Sequence, residues 1–354
     1  MWLTLLLLSD GILCLMLTKA HVGKAIDIFS TFGFFAKYVR LVPRVVPRND
    51  SDRPWILREP TLKIFSNVTV KETNLKRNSK GDTFRGDFHM EFCDNIVQLF
   101  QGYFRDFFIE RLEKPWKVIT ASWSTSIIAK NLGIGLAYVT NQQDHCYVLI
   151  RVSRHREIAI MPTIDKLLPE DIFVEDAVQT QIDNIKVGDS SSVIEFITNV
   201  GSHYITSLMT GNSLYQVFVY EPGRYKIIKE RLRLKGIEKI PRAELMEYFS
   251  PLHARHIGRI LSASGNETVE LWANRKLQLS FFPIPFFSLL KLYTNSNLLH
   301  ELDGLLDNEA LLRLNLKTIA PAFKDINKRD WFHQVLDNYL KLWEVNMYLR
   351  IQKE

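Results

Sequence analysis

The chain has 354 residues, 46% of them hydrophobic and 24% charged, with a net charge of +6 and a sequence pI near 9.0. That length suits one large domain or two ordinary ones, and the balance of apolar and charged residues excludes a largely disordered chain. The mild basicity favours attraction to anionic surfaces such as lipid headgroups or acidic glycans, while the lack of zinc-finger and RNA-binding patterns gives no reason to expect a nucleic-acid partner.

Residues 1–20 read as a secretory leader. Leu3–Leu8 and Ile12–Leu17 supply the apolar stretch, and Thr18-Lys19-Ala20 puts small residues at a cleavage point before His21. No early Lys or Arg precedes the stretch, and Asp10 interrupts it. Neither apolar block approaches the roughly 20 residues that a spanning helix needs, so secretion is expected rather than a membrane anchor. Cys14 then leaves with the leader. Cys93 and Cys146 remain, and an oxidising compartment allows them one intrachain bridge. It would close a loop of roughly 50 residues and stabilise by about 4 kcal/mol if unstrained; two separate buried thiols are the alternative. Asn49-Asp50-Ser51, Asn67-Val68-Thr69 and Asn266-Glu267-Thr268 are N-glycosylation acceptors for a secreted chain.

Residues 21–87 form an N-terminal segment. Up to Arg40 its dense apolar positions, among them Ile28, Phe29, Phe32, Phe35 and Val39, repeat closer to the helical period than to alternation, and Pro43 and Pro47 end the pattern. A helix packed on the domain is the plain reading; a basic, aromatic-rich helix lying on a membrane surface is the other. Residues 49–87 read as exposed basic loops.

From 88 onward strands are expected. Phe88, Met90 and Phe92 alternate, whereas Ile96, Leu99, Phe100, Tyr103, Phe104, Phe107 and Phe108 share one helical face. Trp116–Thr120, Gly135–Thr140 and Cys146–Val152 read as strands. Asp165, Glu170, Asp171, Glu175 and Asp176 make an acidic patch that reads as a solvated face. Gly133-x-Gly135 lacks the third glycine of a nucleotide loop.

The stretch 196–220 organises the rest. A helical lead-in ends at Gly201, and a long strand runs on to Tyr220 with a kink at Gly211-Asn212. His203 reads as a packing histidine on an apolar turn, with a switch or chemical role as the lesser alternative. Beyond it, 225–235 is crowded with Lys and Arg, and Pro241 opens a helix through Phe249. His253 and His256 stand one helical turn apart with no third metal ligand in view. Val269, Leu271, Leu277, Leu279 and Phe281 suggest a fourth strand over 267–282. Leucine-rich helices follow over 296–318, then a long amphipathic helix over Arg329–Arg350.

The order Gly201-Ser202-His203-Tyr204, six residues, then Gly211 resembles the signature of the membrane-attack-complex/perforin family. Val200 stands where that family usually has an aromatic, and Asn212 where it usually has a second glycine; Asn is the residue next most tolerant of a left-handed position. The resemblance implies an α+β fold: a bent four-stranded antiparallel sheet flanked by helical clusters, over 88–320, with a C-terminal helix over 321–354. Within the family the motif, here Gly201, Ser202, His203, Tyr204, Gly211 and Asn212, is a structural hinge and not a catalytic centre. Pore-forming members unfurl helical clusters into membrane hairpins, which need segments of about ten alternating residues. Here Pro222, Pro241, Pro251 and runs such as Lys229-Glu230-Arg231 interrupt 221–262, and each Lys or Arg facing lipid near mid-bilayer costs roughly 2–4 kcal/mol. No nucleophile elbow, phosphate loop or metalloprotease helix occurs. The expectation is therefore a secreted, non-enzymatic interaction protein with no cofactor or metal and with extracellular protein partners. An anionic membrane surface, an acidic glycan or further copies of the chain are additional partners to weigh. A pore-forming effector is the alternative.

Overall fold

The two apolar runs around 146–152 and 214–220 lie side by side at the centre of a sheet that is buried on both faces. The computed structural model describes residues 22–29, 63–66, 68, 70–74, 87–120, 123–140, 144–161, 172–280, 285–308 and 310–351. Among these, nine strands join one sheet: β1 (Ala25–Ile26), β2 (Lys71–Asn74), β3 (Asp87–Cys93), β4 (Phe107–Ile109), β5 (Cys146–Ile160), β6 (His203–Tyr220), β7 (His256–Ile257), β8 (Leu261–Ser262) and β11 (Ala310–Thr318). The remaining two, β9 (Gln278–Leu279) and β10 (Phe286–Phe287), form a separate antiparallel pair. The expected four-stranded antiparallel core is present in the order β3–β5–β6–β11. Only β5 and β6 run its full length.

The bend has a local cause. Register shifts fall between His155 and Glu157 on β5 and between Leu311 and Arg313 on β11. Both flank Gly211, which pairs with His155 on one side and Ala310 on the other. An extra residue in one strand of a pair leaves the ladder unpaired there and increases its twist. Bulges on both sides at one level therefore fold the sheet at that level. Neighbours change there too: β3 gives way to β2 along β5, and β7 and β8 give way to β11 along β6.

Helices cover both faces. The described ones are α1 (Ile96–Tyr103), α2 (Pro115–Thr120), α3 (Thr125–Leu132), α4 (Ala137–Thr140), α5 (Asp176–Asp183), α6 (Ser190–Asn199), α7 (Pro222–Lys235), α8 (Arg242–Tyr248), α9 (Glu267–Lys276), α10 (Ser296–Leu305) and α11 (Ile326–Ile351). Tyr147, Leu149, Tyr215, Val217 and Val219 join residues of α1, α5, α6 and α11 in one core. The alternate positions Val148, Ile150, Val152, Leu214 and Phe218 join α7, α8, α9 and α10 in the other. A strand covered on both sides reads as a continuous apolar run rather than an alternation, which is why 146–152 and 214–220 were legible.

Several expected elements are different in the structure. Residues 116–120 and 137–140 are helical, not extended; Pro115 stands at the first helical position, where its fixed φ favours a helix. Residues 267–276 form α9 rather than a fourth strand. Val269, Ala273 and Leu277 are buried at a spacing of four while Leu271 is exposed, so the helical period governs. The true fourth strand is β11, where the expected helices of 296–318 stop after α10. Finally, Ala25–Ile26 is a strand pairing with β6, not part of a helix. The other described residues there, 22–24 and 27–29, are not helical either, while residues 30–40 of the expected helix, the leader and the sequons at Asn49 and Asn67 lie outside the described residues.

Candidate functional site

The entry to β6 is a buried knot around Ser202 and His203. α6 ends at Asn199, and Gly201 then takes a φ of +126°, which an L side chain rarely adopts. A Cβ there would also lie 2.9 Å from the backbone of Ile26. That close approach lets β1 tie in: Ser202 N donates to Ile26 O at 2.9 Å, and Ile28 N donates to Ser202 Oγ at 3.2 Å. His203 is fully buried. Its Nε2 donates to Glu110 O at 3.1 Å, and Nδ1 is left to accept from the Ser202 hydroxyl at 2.9 Å. Burial holds this imidazole neutral, pushing its pKa down to about 4. Tyr204 is buried beside it, edge-on to Phe65 at 5.3 Å. Every group here is enclosed and satisfied, so the arrangement locks the sheet's lower end and offers no reactive surface.

At the bend, Gly211 is needed for a different reason from the expected one. Neither Gly211 nor Asn212 has a positive φ; among the described non-glycine residues only Arg111 and Thr294 do. A Cβ at Gly211 would instead sit 2.0 Å from Arg154 O. The glycine permits β5 and β6 to touch backbone to backbone at the bulge. Asn212 is buried and acts as a polar rivet, not as a substitute for glycine. Its Oδ1 accepts from Ser264 N at 3.1 Å and from Ser262 Oγ at 3.2 Å, and its Nδ2 donates to Ser264 Oγ at 2.9 Å. It thereby fixes β8 against β6 where the strand neighbours change. On the other side, the bulged Arg156 caps the end of α10. Its guanidinium donates to Leu306 O at 2.6 Å and to Asp303 O at 2.9 Å. Arg154 Nε lies 2.9 Å from the Asp303 carboxylate.

The segment after β6 is packed inward and charged outward. Pro222 opens α7 and Gly236, at a φ of +74°, closes it. Tyr225, Ile228 and Leu232 are buried in the second core. Lys229 Nζ and Tyr225 Oη both donate to Asp94 Oδ1, at 2.6 and 2.8 Å. Between α7 and the β3 edge lies a cleft of about 950 Å³, floored by Phe88, Met90 and Phe92 and walled by Leu232, Tyr293 and Leu299. The alternation at 88–92 pointed to the strand; nothing in it showed that the apolar face would be only half covered.

The other sequence-level candidates resolve separately. Cys93 and Cys146 are free, not bridged. Cys93 pairs in register with Tyr147, so its side chain enters the first core, while Cys146, one residue on, enters the second. Adjacent residues of a strand face opposite sides, so the sheet itself separates the two sulfurs. Burial raises both thiols, Cys93 to about 12. Asn266 is the N-cap of α9, accepting from Thr268 N at 2.9 Å. His253 and His256 do not share a helix: His256 lies in β7, stacked on Tyr138 at 4.7 Å, and His253 sits 3.6 Å from Glu247. No cluster of three or more metal-ligating side chains occurs among the described residues. Of the acidic patch, Asp165, Glu170 and Asp171 lie outside the described residues, and Glu175 pairs with Lys63 at 3.8 Å. No described helix is long and apolar enough to cross a membrane.

No family model and no curated protein matches the chain. Solved structures do. The chain is similar to GNIP1Aa of Chromobacterium piscinae, with 12% identity, a TM-score of 0.45, and coverage of 91% of this chain and 57% of that one. It is also similar to a cell invasion protein with a MAC/perforin domain from Bacteroides thetaiotaomicron, at 9% identity and a TM-score of 0.41, covering 91% and 62%. A third likeness is to Astrotactin-2, a vertebrate-specific, perforin-like membrane protein involved in neuronal development, at 12% identity and a TM-score of 0.33, covering 90% and 91%. The chain thus spans about three fifths of the first two. At these scores the likenesses decide neither fold nor function, and the architecture stands on the strands and their register.

Proposed function

We propose that this chain is a secreted, non-enzymatic interaction protein built on a perforin-type sheet, acting outside the cell without perforating membrane. The observation that carries this reading is the state of α7 and α8: their apolar stripes are already buried in the second core, and their outward faces are too charged and too proline-bounded to line a membrane hairpin. The enclosed, satisfied motif at Ser202 and His203 is consistent with a hinge rather than a catalytic centre.

The narrower form of the proposal rests on the sequence. The Val200-Gly201-Ser202-His203-Tyr204 variant and the two cysteines that follow the leader, Cys93 and Cys146, look like Torso-like, the perforin-family member of insects. That resemblance implies an extracellular cue, at the cell surface or eggshell matrix, that permits local activation of the receptor tyrosine kinase Torso in embryonic terminal patterning, with influence on growth and developmental timing. Its partners would be extracellular proteins of that pathway.

Two assays test the proposal. Purified mature chain added to dye-loaded liposomes is expected to release no dye; dose-dependent release would establish the pore-forming alternative. Cells displaying the Torso receptor and exposed to its ligand are expected to show more receptor phosphorylation when the chain is supplied. An unchanged signal, with no dye release, would remove the pathway role and leave the non-perforating reading.

A further inference from the structure

We propose that the outward face of α7 is a docking surface for an anionic lipid bilayer, used with the helix intact. α7 reads PGRYKIIKERLRLK, six basic residues against one acid. Tyr225, Ile228 and Leu232 anchor it in the second core. At 100° per residue this places Ile227 and Leu234 almost in line on the opposite side. They are 61% and 75% exposed, Leu234 being the most exposed of the large apolar side chains described. Arg224 and Arg231 flank this line on one side, Lys226 and Arg233 on the other; Glu230 is the opposing charge on the face. Glu244 holds Arg231 at 2.9 Å and Asp94 holds Lys229 at 2.6 Å. Among the described residues no ion pair engages Arg224, Lys226 or Arg233.

The combination selects the partner. An acidic glycan would engage the cations and leave Ile227 and Leu234 in water. A bilayer interface takes both: apolar tips settle at the headgroup boundary while the flanking cations meet lipid phosphates. With two apolar side chains and a few cations the attachment is peripheral and salt-sensitive. It does not depend on any receptor role.

The test is co-sedimentation of the mature chain with phosphatidylcholine vesicles, with and without about 30% phosphatidylserine, at about 0.1 M salt. Binding is expected only to the anionic vesicles. The pair Ile227→Ser with Leu234→Ser, and separately the triple Arg224→Glu, Lys226→Glu, Arg233→Glu, are each expected to weaken it by about tenfold or more. All five positions are exposed, so thermal melting is expected to be unchanged. A gain-of-signal variant guards against misfolding: Leu234→Trp is expected to bind more tightly and to shift its fluorescence to the blue on anionic vesicles. Absence of pelleting with anionic vesicles would overturn the proposal. So would full binding by the serine pair, or capture by heparin that the serine pair retains while vesicle binding is absent.

Discussion

His203 is a neutral base in a sealed site, and that gives it a pH signature. Its ordinary pKa of 6.5 falls to about 4 in the folded protein because burial disfavours the cation. Below pH 6.5 the unfolded chain takes up a proton that the folded one refuses. The stability that His203 contributes is therefore complete above pH 6.5, is lost as pH falls from 6.5 towards 4, and levels off below that. The loss is roughly 3 kcal/mol. Denaturant titrations across that window are expected to show it, and His203→Gln is expected to flatten the slope while costing about 1–3 kcal/mol at pH 7. A slope unchanged in the variant would assign the pH response to other groups. At this scale the sequence singled out Ser202, His203, Gly211 and Asn212 without showing what each of them touches. It could not show why Gly211 is glycine, because the obstruction is the Arg154 carbonyl, more than fifty residues away in the chain.

Strands buried on both faces announced themselves as unbroken apolar runs, and the helix leading into Gly201 showed its period and its stop. The failures came where two periods fit the same letters. Val269 and Leu271 suggested alternation, but Asn266 caps a helix whose buried positions are four apart. In β11 the alternation of Leu314, Leu316 and Thr318 with Arg313, Asn315 and Lys317 was present but sat at the end of a leucine-rich stretch that reads as helix. Asn212 offers a test between two accounts of one position. If it stood in for glycine at a left-handed backbone, Asn212→Gly would be neutral or stabilising. As the rivet between β6 and β8, it is expected to cost about 1–3 kcal/mol on replacement by glycine, measured as a lower denaturation midpoint.

The described residues form a bent sheet closed between two helical layers, and their features follow from which face each residue meets. The cysteines illustrate this: spacing alone allowed a bridge, and the register of β3 on β5 sends Cys93 and Cys146 to opposite cores. Unfolded mature chain, with no reductant, is therefore expected to react with a thiol reagent at both cysteines; a mass showing one bridge would require β3 to be shifted by a residue. The central claim is that α7 and α8 stay folded against the sheet instead of opening into lipid. Hydrogen exchange read with and without anionic vesicles tests it most directly. Amides over Tyr225–Leu232 and Leu245–Tyr248 are expected to keep or gain protection when vesicles are added. Loss of protection there in the presence of vesicles, with new protection in an extended pattern over the same residues, would contradict the account.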